Sequence, residues 1–136
     1  MIVTVPTSNK REVVDITDKI MREAGNATGL IHIFSMHSTT AITTANMDPG
    51  TDQDLLDVLQ VMMPQLQWRH PHNPEHTPDH LLASIVGPSL SVSVKGGQLQ
   101  LGRWQRVVLL DFDGGQERHI EVTVMASASP DPTFVL

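Results

Sequence analysis

Residues 90–125 read LSVSVKGGQLQLGRWQRVVLLDFDGGQERHIEVTVM, and this stretch decides the fold class. It holds three strand-like runs, Leu90–Val94, Arg103–Phe112 and His119–Met125. Glycine turns at Lys95-Gly96-Gly97 and Asp113-Gly114-Gly115 separate them. That spacing predicts an antiparallel meander. Upstream, Leu30–Met36 (LIHIFSM) reads as a strong strand whose pattern continues weakly to Thr44. Met1–Val5 alternates apolar and polar residues and stops at Pro6, as an edge strand does, and Asn9–Asp15 fits a second short strand. Between these lie three helical segments. In Thr17–Ala24, Ile20 and Ala24 share a face and Gly25 stops the helix. Thr51–Met63 follows the turn Asn46-Met47-Asp48-Pro49-Gly50. Thr51 is its expected cap, and Leu55, Leu59 and Met62 form its apolar stripe with Leu56 and Met63 at the edge. Thr77-Pro78 opens the last helix, His80–Val86, which Gly87-Pro88 ends. Strands at both ends with short helices between them predict an α+β, antiparallel, sandwich-like domain.

Composition narrows the function. A chain of 136 residues makes one domain, with residues 127–136 as a loosely docked extension. It can bury roughly two-thirds of its unfolded surface, so it needs neither disulfide nor metal merely to fold. Nine Lys and Arg against fifteen Asp and Glu give a formal charge of −6, which disfavours nucleic acid and anionic membranes as partners. The start of the sequence has no signal-peptide pattern, and no window approaches the ~18 apolar residues of a membrane span. A cytoplasmic location is therefore the expectation. With no cysteine in the chain, thiol nucleophiles and cysteine-ligated metal centres are excluded. Seven histidines remain, so any transition-metal site must use imidazole and carboxylate.

Two regions carry candidate chemistry. If the Ile31 strand runs on, Ile31, Ile33, Ser35 and His37 point the same way. His37 then emerges at the margin of a buried face and is followed by the hydroxyls of Ser38, Thr39 and Thr40. A histidine satisfied by a backbone carbonyl fits that position as well as a pocket residue does. The proline-rich segment from Gln65 to Asp79 holds His70, His72 and His76, with His80 just beyond. Pro78 counts against a helical His76/His80 metal pair. His80 lies in the first turn of the last helix, with Ser84 on its face. In GGQLQLGRWQ (96–105), Gly102 suggests a bulge or close backbone approach, and Arg103, Trp104 and Gln105 either line a polar pocket or leave Trp104 in the core. Asp111, Asp113 and Arg118 flank a hairpin turn, where a surface ion pair is the default. Phosphate-cradling loops, dinucleotide fingerprints and H-E-x-x-H are all absent.

Taken together, MHSTTAITTANMDPGTDQDL, HTPDHLLASIVGPSLSVSVKGGQLQLGRWQ and VVLLDFDGGQERHIEV resemble the YjbQ family over about 100 residues in the right order. The resemblance implies an α+β fold of antiparallel β-sandwich type that assembles as a homotrimer, with a weak thiamine-phosphate synthase-like activity secondary to another role. It implies a polar pocket in which His37, His70 and His80 hold a divalent metal, zinc or magnesium, beside a bound anion. Trp104, Gln105 and Arg118 match family positions, as do the acids Asp48 and Asp54. Two departures stand out. The family's Asn-Glu-Asn run is reduced here to Ala45-Asn46-Met47, which removes a carboxylate, and Arg103 replaces a small residue before Trp104.

These residues support two expectations. In an enzyme, His37, His70, His80 and Arg118 are catalytic, with Ser38, Thr39, Arg103, Trp104 and Gln105 binding a small anionic or phosphorylated metabolite. Arg118, Arg103 and a divalent ion would stabilise a departing pyrophosphate, or the same groups would assist a hydrolysis. In a binding module, a trimer holds the metal or metabolite without turnover. His32, His72, His76 and His119 are expected to be structural or solvated.

Overall fold

The computed structural model describes residues 1–70 and 73–127. His72 and the extension beyond residue 127 lie outside the described residues. The elements run β1 (Ile2–Pro6), β2 (Glu12–Asp15), α1 (Thr17–Ala24), β3 (Gly29–Ser35), β4 (Thr40–Ala45), α2 (Thr51–Met62), α3 (Thr77–Val86), β5 (Ser89–Lys95), β6 (Gln98–Leu99), β7 (Arg106–Asp111) and β8 (Glu117–Ala126). A 3-10 turn at Pro74–His76 leads into α3. The fold is α+β, as the sequence predicts. Two antiparallel sheets form it, one of five strands in the order β1-β8-β3-β5-β6 and one of three in the order β2-β7-β4.

The expected meander does not form. β5 pairs with β3 and with the two-residue β6, whereas β7 lies in the small sheet between β2 and β4. β8 returns to the large sheet between β1 and β3. The physical reason lies in the run Val107-Val108-Leu109-Leu110, all of which is buried. A strand apolar on both faces belongs between two layers. Val107 and Leu109 join Ile31, Ile33, Ile120 and Val122 in the inter-sheet core, together with Ile16 and Ile20 around α1. Val108 and Leu110 face the other way, onto Leu56 of α2 and Leu82 and Ala83 of α3. The molecule is thus layered as large sheet, small sheet, helices.

Several local expectations shift with this layering. The apolar face of α2 centres on Leu56, flanked by Leu55, Leu59 and Met63, while Met62 is 71% exposed. Gly50, at φ 89°, is the α2 N-cap, and no side chain caps the helix, so Thr51 is its first helical residue instead. α3 starts at Thr77 with His76 as its cap. The weak continuation after Met36 is a break: the chain turns at 36–39 and re-enters as β4 in the other sheet. That crossing puts His37, Ser38 and Thr39 at one end of the sandwich.

Candidate functional site

β3 ends at Ser35, whose hydroxyl bonds Thr40 Oγ1 at the start of β4, so the corner is drawn tight. His37 hangs from this corner toward the open edge of β8. The main-chain N–H of His119 donates to His37 Nε2 at 2.9 Å. His37 therefore caps a strand N–H that β3 is too short to reach. The His119 ring lies beside it, centroids 5.9 Å apart. With its Nε2 lone pair occupied, the neutral His37 ring carries its proton on Nδ1.

α3 supplies the facing wall. His80 Nδ1 stands 3.3 Å from the Ser38 carbonyl, to which it donates, leaving the Nε2 lone pair open. His70 stacks on His80, ring centroids 5.1 Å apart and planes 12° from parallel. Its own Nδ1 accepts from the Asn73 N–H at 3.2 Å. His37, Ser38, Thr40, His80 and Ser84 line a cavity of about 360 Å³, at the lower end of the range for small-molecule pockets.

These bonds test the three-histidine metal set. A metal ligand must offer a nitrogen lone pair. The ring nitrogens of His37 and His70 that carry lone pairs are both taken up by backbone N–H groups. Only His80 presents an open one. As bonded here, the three imidazoles do not fit one divalent ion, and among the described residues no group of three or more His, Asp or Glu has the arrangement of a metal site.

Burial holds the His37 imidazolium below the ordinary histidine value of 6.5, and the nearby positive charges of Arg118 and His119 add to the effect, partly offset by Asp111. The sign follows directly. The folded state binds this proton more weakly than the unfolded chain, so His37 contributes stability that is complete above about pH 6.5 and is lost as pH falls through its depressed value. Urea midpoints measured from pH 7.5 to 5 should fall more steeply for the wild type than for His37→Gln. Parallel curves would remove His37 from the acid response.

The other expected residues divide into two groups. Thr39 and Arg118 belong to a buried strut. Arg118 is 3% exposed and Asp111 0%. Arg118 Nε and Nη2 donate to the two oxygens of Asp111 at 2.8 and 2.9 Å. Nη2 also reaches Thr39 Oγ1 at 2.9 Å and the Asp113 carbonyl at 2.7 Å. The expected surface pair across a hairpin is instead a buried pair joining the two sheets, because β7 and β8 belong to different layers. Its cation is already matched by a carboxylate.

Arg103, Trp104 and Gln105 lie beyond the opposite end of β4, with Ala45 and Asn46. The length of β4 separates them from Ser38 by roughly 16 Å within one chain. They form a turn before β7 rather than its first residues. Gln105 Oε1 accepts from the Gly102 N–H at 2.7 Å, the close approach that Gly102 signals. Trp104 is 62% exposed under the Arg103 guanidinium, 4.9 Å from the ring centroid. Asp48 joins Arg103 and Trp104 around a cavity of about 230 Å³, while Asp54 is exposed on α2. His32 pairs across strands with Ser91 at 2.9 Å.

Sequence reading missed His119, which sits beside His37, and Asp79, Lys10 and Arg11. Asp79 is 1% exposed and takes both Lys10 at 3.2 Å and Arg11 at 3.4 Å. No spacing links residues 10 and 11 to 79. Only the packing of α3 beside the β1–β2 connection brings them together.

The UPF0047 protein YjbQ-like family model matches residues 1–127. A UPF0047 protein of Archaeoglobus fulgidus is 32% identical over 126 residues, covering 92% of this chain and all of its own. One of Mycobacterium tuberculosis is 37% identical over 112 residues, covering 80% of this chain and 84% of its own. Among solved structures, a conserved hypothetical protein from Thermus thermophilus superposes with a TM-score of 0.84 at 32% identity, over 92% of this chain and 99% of that one. An uncharacterized conserved protein from Clostridium acetobutylicum does so with a TM-score of 0.82 at 30% identity, with the same coverage.

Proposed function

The chain belongs to the YjbQ-like UPF0047 family, and on that premise we propose that it is a small-molecule enzyme working by acid–base chemistry in the His37–His80 cavity, without a metal held by its three candidate histidines. One observation carries this reading. His80 Nδ1 is tied to the Ser38 carbonyl, so its Nε2 is an oriented, open base at a cavity wall. The stacked His70 ring holds His80 in place. Ser38 and Ser84 offer hydroxyls to an oxygen-rich substrate. A phosphorylated metabolite is the class proposed.

Coupling of a pyrimidine diphosphate to a thiazole phosphate, the thiamine-phosphate synthase-like reaction, is one specific member of this class. It needs cations on the departing pyrophosphate. Arg118 is committed to Asp111 and Arg103 lies at the far end of β4, so this reaction draws less support from the site than simple proton transfer does.

The test is a turnover screen of phosphorylated metabolites, that substrate pair included, run with and without EDTA. His80→Asn should lower kcat by about 10²–10⁴-fold, the usual contribution of a positioned acid or base, with its melting temperature preserved. EDTA should leave the wild-type rate unchanged. If wild type turns over nothing in the screen but binds a member of it, the non-catalytic reading replaces this one. If EDTA abolishes the rate, the metal-free mechanism is wrong.

A further inference from the structure

We propose that a second cavity, on the other side of α3 from His80, binds a planar apolar carboxylate through Arg11. This cavity measures about 660 Å³; Met63, Leu66, Trp68 and Leu82 supply apolar walls, and Arg11, exposed Glu75 and three glutamines supply its polar lining. A space of that size is typical of small-molecule sites, and its lining is mixed apolar and polar.

Arg11 is what distinguishes it from a mere gap under a loop. The molecule treats its buried Arg118 and its part-exposed Arg11 differently. Arg118 has its guanidinium satisfied by Asp111, Thr39 and the Asp113 carbonyl. Arg11 has one hydrogen bond among the described residues, from Nη2 to Asp79 at a long 3.4 Å. Its Nε is buried with no partner among them. Asp79 is shared, since Lys10 also donates to it at 3.2 Å. A guanidinium carries five N–H donors in a fork that matches a carboxylate, and leaving the buried Nε donor unmade is costly. An acceptor arriving through the cavity would take up donors that the protein leaves open.

The walls set the rest of the ligand. Trp68 is half-buried and Leu82 is 5% exposed, which offers a flat aromatic surface and a closed apolar floor. Leu66, 61% exposed, lies on the segment between α2 and the 3-10 turn, where an apolar body would cover it. A planar ring bearing one carboxylate meets both requirements. The site is independent of the proposed acid–base function, because His80 and Ser84 border the other cavity.

The experiment uses 2-naphthoate as probe, with Trp68 fluorescence read in a Trp104→Phe background and heats of binding measured in the wild type. Trp104 is exposed, so that substitution leaves the core alone. The expected result is saturable binding of one probe per chain. Arg11→Gln should weaken it about tenfold or more, the worth of a charge-assisted hydrogen bond. The neutral 2-acetylnaphthalene should bind weaker than the acid by a similar factor. Leu66→Asp, at an exposed position away from the Arg11–Asp79 contact, should weaken the acid as well, and serves if Arg11→Gln fails to fold. Absence of saturable binding at millimolar probe, equal affinity for the acid and its neutral analogue, or affinity unchanged by Arg11→Gln and Leu66→Asp would overturn the proposal. So would a Trp68 signal that shifts with protein concentration and blocks the probe, which would make a second copy of the chain the occupant.

Discussion

Arg118→Met is expected to lower the melting temperature by about 10–20 °C. The carboxylate of Asp111 is fully buried, and this substitution strips it of its charge partner without removing it. Breaking a buried ion pair from one side costs about 3–5 kcal/mol, most of it from the orphaned charge. For a domain of this size each kcal/mol is worth roughly 3–4 °C. The hydroxyl of Thr7, which donates to Asp111 Oδ2 at 2.9 Å, and the Asp113 N–H cannot replace a guanidinium. The double variant Arg118→Met/Asp111→Asn should recover a substantial part of the loss, since it removes the stranded charge. Differential scanning calorimetry on the single and double variants gives the answer. A shift under about 2 °C for Arg118→Met would mean that the strut does not hold the sheets together. Arg118 is thus a structural cation before it is anything else.

The layers explain which features were legible along the chain. β1, α1, β3 and β8 were readable because each either alternates or carries a clear stop such as Gly25. The run Val107–Leu110 announced a strand, yet the glycine turns on either side suggested sequential pairing. Turn chemistry reports that the chain reverses, not which sheet it reverses into. Only burial on both faces places β7 in the middle layer. The same ambiguity hid the character of Arg118: beside a hairpin it would be solvated, but between two sheets it is buried.

The candidate site was legible to a similar depth. His37, Ser38 and His80 were identifiable from a strand end and a helix start, and they do share a cavity. His70 stacks on His80, while the expected convergence of three histidines was on a shared metal ion. What no sequence pattern carries is the bonding of each ring nitrogen. His37 faces the His119 N–H because β3 stops at Ser35 while β8 continues toward Glu117, a mismatch of strand lengths across a sheet. Trp104 and Gln105 were expected to bind the same metabolite as the histidine site, but in one chain the length of β4 keeps them apart.

The second large effect is expected from the glycine pair in the first of those turns. Gly97→Ala should destabilise the protein by about 3 kcal/mol or more, while Gly96→Asn should change it by a few tenths. Both glycines have positive φ, 53° at Gly96 and 79° at Gly97, so conformation alone does not separate them. Space does. A Cβ at Gly96 meets nothing within 4 Å, and asparagine tolerates that backbone region. A Cβ at Gly97 would lie 2.0 Å from the Gly25 carbonyl oxygen, which is backbone and cannot swing aside. Gly97 also donates its N–H to the Ala27 carbonyl at 2.9 Å, so the β5–β6 turn is fastened to the segment that follows α1. To admit a methyl group, the turn must lift from the end of α1 and loosen the packing of Ala24 in the inter-sheet core. Chemical denaturation of the two variants side by side reads the difference. Equal midpoints would mean that the turn yields as a unit, and that close approach to Gly25 is not what requires glycine at position 97.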